Sequence, residues 1–268
     1  MKKRHSLLTS DTFSLVFIFL GGLVLLFIIA PLAGMFINTP FKDLVHTAGE
    51  RAVQKSIWLT LIAAMGTALL CSIGAIPLAY LLARRDFPLK RLVTGIIDIP
   101  VIIPHSAAGI AVLGIISRES LIGSLAGKAG FSFVNHPAGI MAAMAFVSIP
   151  FLINAARDGF MAVPERLEKA ALSLGASPFR VFFTIALPLA WRSILSGLIL
   201  MWARGMSEFG AVVIVAYHPM ITPVLIYERF GAFGLKYARP AAVLFITICL
   251  IVFVMLRIIA WEKSDDQN

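Results

Sequence analysis

Six long apolar stretches alternate with short polar ones along this chain. They run roughly 14–36, 57–83, 92–116, 138–156, 191–216 and 238–260. A helix needs about 20 apolar residues to cross the hydrocarbon core of a bilayer, and each stretch reaches that length. The pattern predicts an all-α polytopic membrane protein with six transmembrane helices. The first stretch follows Met1-Lys2-Lys3-Arg4 as a signal peptide's would, but its apolar run is too long for one, so it is read as a span. No linker, low-complexity tract or composition shift divides the chain, so residues 1–268 are expected to form a single transmembrane domain. The tail from Glu262 to Asn268 is short and polar and is expected to fray.

Composition agrees with the pattern. Of 268 residues, 59% are apolar and 14% charged, against about 25% charged in an ordinary soluble domain. Mean hydropathy is +0.92. A soluble enzyme, a disordered chain and a disulfide scaffold are all excluded on these grounds. Cys71 and Cys249, the two cysteines, lie in apolar runs and make neither a disulfide framework nor a metal site. The net charge of +9 serves orientation in a lipid membrane rather than nucleic-acid binding. Placing both termini in the cytoplasm puts 14 Lys/Arg inside and eight outside, which favours the N-in, C-in arrangement. The densest group is Arg84-Arg85-Asp86-Phe87-Pro88-Leu89-Lys90-Arg91. The three outer segments of about twenty residues are too small to fold alone but large enough to form a docking surface.

Little in the chain can do chemistry. The nearest approach to a phosphate loop, Gly123-Ser124-Leu125-Ala126-Gly127-Lys128-Ala129, has its glycines one residue too close. Ala129 stands where a Mg²⁺-binding hydroxyl belongs, and the string falls outside, so it is read as a plain loop. The chain is therefore not expected to be an enzyme or to bind a cofactor. Any uphill transport draws its energy from a partner or an ion gradient. Within the spans, Arg204 and Glu208 stand four apart on one helical face. Ionisable residues there point to a translocation path, though the two can also simply pair across one turn. Asp98, near the cytoplasmic end of span three, and His105 with Ser106, nearer its middle, are further path candidates, and His105 fits helix packing as well. Pro100, Pro104, Pro150 and Pro188 suit helices that bend, or fixed kinks.

The cytoplasmic segment of about 157–190 is the most patterned. Pro164 suits a first helical position and Glu165 the positive helix end. Leu167, Ala170, Ala171 and Leu174 recur at helical spacing. Gly175 is placed to end that helix in the left-handed conformation. Ser177 can cap a second helix with Pro178 at its first position. The result is helix, glycine turn, helix. Its small-residue stripe fits a partner's groove, or else the hairpin covers the ends of spans four and five.

A resemblance bears on that choice. Lys169-Ala170-Ala171, three residues, Gly175, nine residues, Ile185, one residue, Leu187-Pro188 resembles the EAA loop of binding-protein-dependent (type I) ABC importer permeases. Only the first position departs, with Lys169 in place of the family's glutamate; Glu168 stands next door, about 100° round the helix. Trp202-Ala203-Arg204-Gly205-Met206-Ser207-Glu208-Phe209-Gly210-Ala211 is similar to the fifth-span signature of molybdate, tungstate and sulfate permeases. Asp98 to Gly109, Ala216 to Met220, Leu225 to Glu228 and Gly234 to Pro240 look most like the tungstate/molybdate branch.

The resemblance implies a homodimer of permeases working with two cytosolic ATPases and an extracytoplasmic oxyanion-binding protein. ATP and Mg²⁺ would sit on the ATPase. Lys169, Ala170, Ala171, Leu172, Ser173, Leu174, Gly175, Ala176, Ser177 and Pro178 would form the coupling element that seats in it. Alternating access would carry the anion across the cytoplasmic membrane. A sulfate/thiosulfate or other anion permease is the alternative, and an ion-coupled carrier or channel a more distant one.

Overall fold

The apolar runs fold as helices, many of them ended by proline. The computed structural model describes residues 12–262. In chain order the helices are α1 (Thr12–Ile37), α2 (Phe41–Gly49), α3 (Arg51–Arg84), α4 (Lys90–Ile102), α5 (His105–Ile116), α6 (Leu121–Lys128) and α7 (Pro137–Ala162). Then come α8 (Glu165–Ser173), α9 (Pro178–Val181), a π-helical turn (Phe182–Ala186), α10 (Leu187–Met206), α11 (Gly210–Val215), α12 (Thr222–Phe233) and α13 (Leu235–Glu262). The cations at positions 2–4 and the tail beyond Glu262 lie outside the described residues.

Five helices are long and apolar enough to cross a membrane, and the pair α4 and α5 makes a sixth passage if taken together. That pair occupies the stretch expected as span three, 92–116, and breaks it between Ile102 and His105. The two pieces meet at 113°. Pro104 has no N–H to donate and forces the residue before it out of the helical region. Ile103 accordingly sits extended, at φ −73° and ψ 150°.

Span five also differs from its expected range. Pro178 to Met206 is one continuous 29-residue helix, so the passage begins just after the Gly175 turn and stops short of 216. Within it the Leu187 N–H bonds to the Phe182 carbonyl, a wider register than the α-helix uses. That extra residue makes room for the Pro188 ring, which clashes with a carbonyl four residues back in regular helix. The Gly123–Ala129 string, expected as a loop, is mostly helix α6, and Ser120 Oγ caps it by accepting the Gly123 N–H at 3.0 Å. The three outer segments are likewise built around the short helices α2, α6 and α12.

The core lies where α3, α7 and α10 pack on one another. Small residues let the backbones approach. A Cβ added at Gly197 would lie 2.8 Å from the Ala155 Cβ, and one at Gly159 would lie 2.5 Å from the Ser193 Cβ. Buried hydroxyls tie α12 to α3: the Thr222 N–H donates to Thr60 Oγ1 at 2.9 Å. By contrast, the most apolar window of α1 buries none of its residues against the described chain. That helix presents its whole surface to lipid or to another polypeptide.

Candidate functional site: a cytoplasmic elbow and an intramembrane ion triad

The segment of about 157–190 forms the expected elbow. Helix α8 starts at Glu165, with Pro164 as its N-cap rather than its first helical residue. Gly175 has φ +85°. The Gly175 N–H bonds to the Leu172 carbonyl at 3.0 Å and the Ala176 N–H to the Ala171 carbonyl at 3.1 Å. These two bonds are the Schellman termination, which favours glycine at its left-handed position. Ser177 Oγ accepts the Arg180 N–H at 3.3 Å and Pro178 opens the next helix. A side chain at Gly175 would meet no atom of this chain within 4 Å, so only backbone strain, not crowding by the protein's own atoms, opposes a substitution there.

The elbow keeps its apolar residues outside. Leu167, Ala170, Leu172 and Ser173 are exposed, Leu174 is 89% exposed, and Ala171 and Ala176 are half-buried. Phe179 continues the apolar surface on the second helix. Lys169 points to solvent and donates to Glu165 Oε2 at 2.8 Å, one helical turn back. That bond and the lysine's charge hold the Glu165 carboxyl below its ordinary pKa.

Sequence reasoning missed the residue that α8 does bury, Glu168. Arg84, at the end of α3, donates to Glu168 Oε1 from Nε at 2.9 Å and from Nη2 at 2.7 Å. The Tyr80 hydroxyl donates to Oε2 at 2.7 Å. Arg84 Nη2 also reaches the Val163 carbonyl, at 2.9 Å. The one sequence signal was an acid standing off the apolar stripe; its partners lie more than eighty residues earlier.

The second constellation sits where span three breaks. The bend brings His105, first residue of α5, against Arg204 of α10 and Glu208 of the α10–α11 connection. Glu208 is 1% exposed. Its Oε2 lies 2.9 Å from Arg204 Nη2 and 3.0 Å from His105 Nδ1, while Oε1 accepts the Ala211 N–H at 2.8 Å. Arg204 Nη2 lies 2.9 Å from His105 Nδ1 and 3.0 Å from Nε2, and Nη1 donates to Ser207 Oγ at 3.3 Å. A guanidinium only donates and a carboxylate only accepts. Glu208 therefore accepts from Arg204, and the His105 ring lies within hydrogen-bond reach of both. The Arg204 guanidinium is paired with the Glu208 carboxylate, with the His105 ring against both.

Tight packing maintains the arrangement. A Cβ at Gly109 would lie 2.8 Å from the Ala211 carbonyl oxygen, and one at Gly210 would lie 2.7 Å from the His105 Cβ. Ser106 is exposed beside His105. Asp98 does not join the group: it stands on α4 and accepts from Asn154 Nδ2 of α7 at 2.7 Å. Of the path candidates, the fold thus brings together Arg204, Glu208 and His105, with Ser106 adjacent, and places Asp98 apart.

Comparison with known proteins gives a consistent account. The chain is 43% identical over 251 residues to the molybdate/tungstate transport system permease protein WtpB of Thermococcus kodakarensis, covering 93% of this chain and 96% of that one. It is 30% identical to a probable sulfate transport system permease protein of Chlorokybus atmophyticus, over 82% of this chain and 78% of that one. The fold matches a chain of a bacterial ABC transporter that imports the polysaccharide alginate, with a TM-score of 0.72, 16% identity, and coverage of 92% and 95%. It also matches a chain of the MetNI methionine ABC transporter in an inward-facing form, with a TM-score of 0.63, 16% identity, and coverage of 81% and 96%. Residues 75–262 match the family model described as the binding-protein-dependent transport system inner membrane component. With its all-helical membrane architecture and its relatives throughout, the chain belongs to that family of transport-system permeases.

Proposed function

We propose that this chain is the membrane-spanning permease subunit of an ATP-driven importer for a tetrahedral oxyanion, tungstate or molybdate. Two copies form the pathway, two cytosolic ATPases supply the energy, and an extracytoplasmic binding protein delivers the anion. The observation that carries the reading is the elbow. A glycine-terminated helix that leaves Leu172, Leu174 and Phe179 in water at the cytoplasmic end of a bundle is expensive unless another protein covers it. ATP and Mg²⁺ act on the ATPase chain, and the residues Lys169 to Pro178 receive its motion. The relatives named for molybdate and tungstate support the choice of anion.

Arg204, His105 and Ser106 line the path in this reading. An arginine already paired with a carboxylate holds a passing dianion weakly, which transport requires, because a site that binds tightly does not release. When α5 moves off α11, the histidine leaves its carboxylate partner and can face the anion for part of the cycle.

The test is reconstitution of the permease with its ATPase and binding protein in proteoliposomes. Tungstate-loaded binding protein should stimulate ATP hydrolysis and drive uptake, with molybdate competing and sulfate competing weakly. Uptake by the permease alone, or a preference for sulfate, would overturn the reading.

A further inference from the structure

We propose that Glu168, Arg84 and Tyr80 form a latch that makes the elbow move as one body with α3, so that Glu168 is a positioning residue for transmission of ATP-driven motion. The proposal rests on the elbow being the seat of the ATPase.

Helix α8 has almost no apolar hold on its own protein. Glu168 is its one buried residue, and the leucines on either side face water. What attaches it is polar and directional. Both carboxylate oxygens of Glu168 are engaged, one by two N–H groups of Arg84 and the other by Tyr80. The ion pair is nearly dry, with side-chain exposures of 9% and 8%. A buried pair of this kind adds little net stability over an apolar contact, but it fixes geometry.

The latch is also a junction. Arg84 bonds to the Val163 carbonyl, in the connection between α7 and α8. The Tyr80 ring packs edge-on against Phe160 of α7, with centroids 5.2 Å apart, and against Phe182 of the π turn, 5.0 Å apart. The ends of α3, α7, α8 and span five therefore meet on one tyrosine and one arginine. A push on α8 reaches α3 through this knot. Without it, the push acts through the chain connections on either side of α8 and its packing on α9 and the π turn, with no direct hold on α3. Lys169, on the outer face, has no contact with the knot.

The experiment uses the complete transporter in proteoliposomes and reads tungstate taken up per ATP hydrolysed. Docking is followed separately by photo-cross-linking from a reagent on Ser173→Cys. In Glu168→Gln, cross-linking to the ATPase should keep its wild-type yield while uptake per ATP falls at least about fivefold, the low end of ordinary energetic coupling between sites. Glu168→Asp should restore part of the ratio. An unchanged ratio, or uptake and hydrolysis that fall in proportion, overturns the latch. If Glu168→Gln does not assemble, Tyr80→Phe removes one donor only and is read by the same two outcomes; failure of both to assemble shows a knot that serves folding alone and overturns the proposal. Absence of the cross-link with Glu168 intact instead overturns the docking reading on which the proposal rests.

Discussion

Glu208 is the residue whose removal the fold should tolerate least. Its carboxylate accepts the Ala211 N–H at 2.8 Å, Arg204 at 2.9 Å and His105 at 3.0 Å, all from a position that water does not reach. In Glu208→Ala the Ala211 N–H, at the start of α11, loses its acceptor; a buried group left unpaired costs about 1–3 kcal/mol. Arg204 also loses its counter-charge. Breaking a fully buried pair costs about 3–5 kcal/mol, but Arg204 is 22% exposed and keeps Ser207 as a partner. It therefore recovers part of its hydration, and the combined loss comes to about 3–5 kcal/mol. Glu208→Gln keeps an oxygen for Ala211 and should lose about 1–2 kcal/mol. Thermal unfolding of the detergent-solubilised protein, with wild type and both variants side by side, measures the order. If Glu208→Ala unfolds at the same temperature as Glu208→Gln, the carboxylate does not hold the α5–α11 junction together.

Other expectations follow from single contacts. Gly109→Ala places a methyl 2.8 Å from the Ala211 carbonyl and should cost about 1–3 kcal/mol of overpacking, whereas Gly114→Ala in the same helix meets nothing within 4 Å and should leave the melting temperature unchanged or higher. Gly175→Val should insert normally in the membrane but lose substrate-stimulated uptake, because a β-branched residue at φ +85° strains the turn by about 1–2 kcal/mol; Gly175→Asn, which accepts that conformation more readily, should transport better than the valine variant. The Glu165 pKa is held down by Lys169, so its pairing favours the folded helix above the ordinary glutamate value, about 4.3, and is lost as pH falls through the lowered one. Lys169→Ala should raise the Glu165 midpoint in a carboxyl-carbon NMR titration, and an unmoved midpoint would contradict the assigned bond.

The sequence displayed whatever depends on local pattern. Apolar length located the spans, and the series Gly175, Ser177, Pro178 marked the elbow because each residue has a backbone preference that acts within a few positions. Hydropathy measures length and not direction, so it read 92–116 as one span, with Pro104 only a place to bend, whereas the chain turns sharply there. For the same reason it carried span five past Ser207 and Glu208, where a carboxylate turns to cap a new helix. The spacing of Arg204 and Glu208 foretold their pairing, but His105 enters only because the bend in span three returns it to them. Glu168 with Arg84 and Tyr80 was out of reach. Nothing local pairs an acid with a base 84 residues away, and the lysine beside that acid drew attention to the wrong side of the helix.

The unbroken run from Pro178 to Met206 connects the elbow to the triad as a first-class lever. Its fulcrum lies where Ser193 and Gly197 press closest on α7, at Gly159 and Ala155. The cytoplasmic arm is then about 26 Å long and the arm to Arg204 about 14 Å, at 1.5 Å per residue. A tilt of about 5° displaces the elbow by about 2 Å and Arg204 by about 1 Å. Protein hydrogen bonds span about 2.7–3.2 Å, so the smaller displacement is enough to part Arg204 from His105, which stands on a different helix. Such gearing converts a wide, gentle displacement at the elbow into a short, forceful one at the charges.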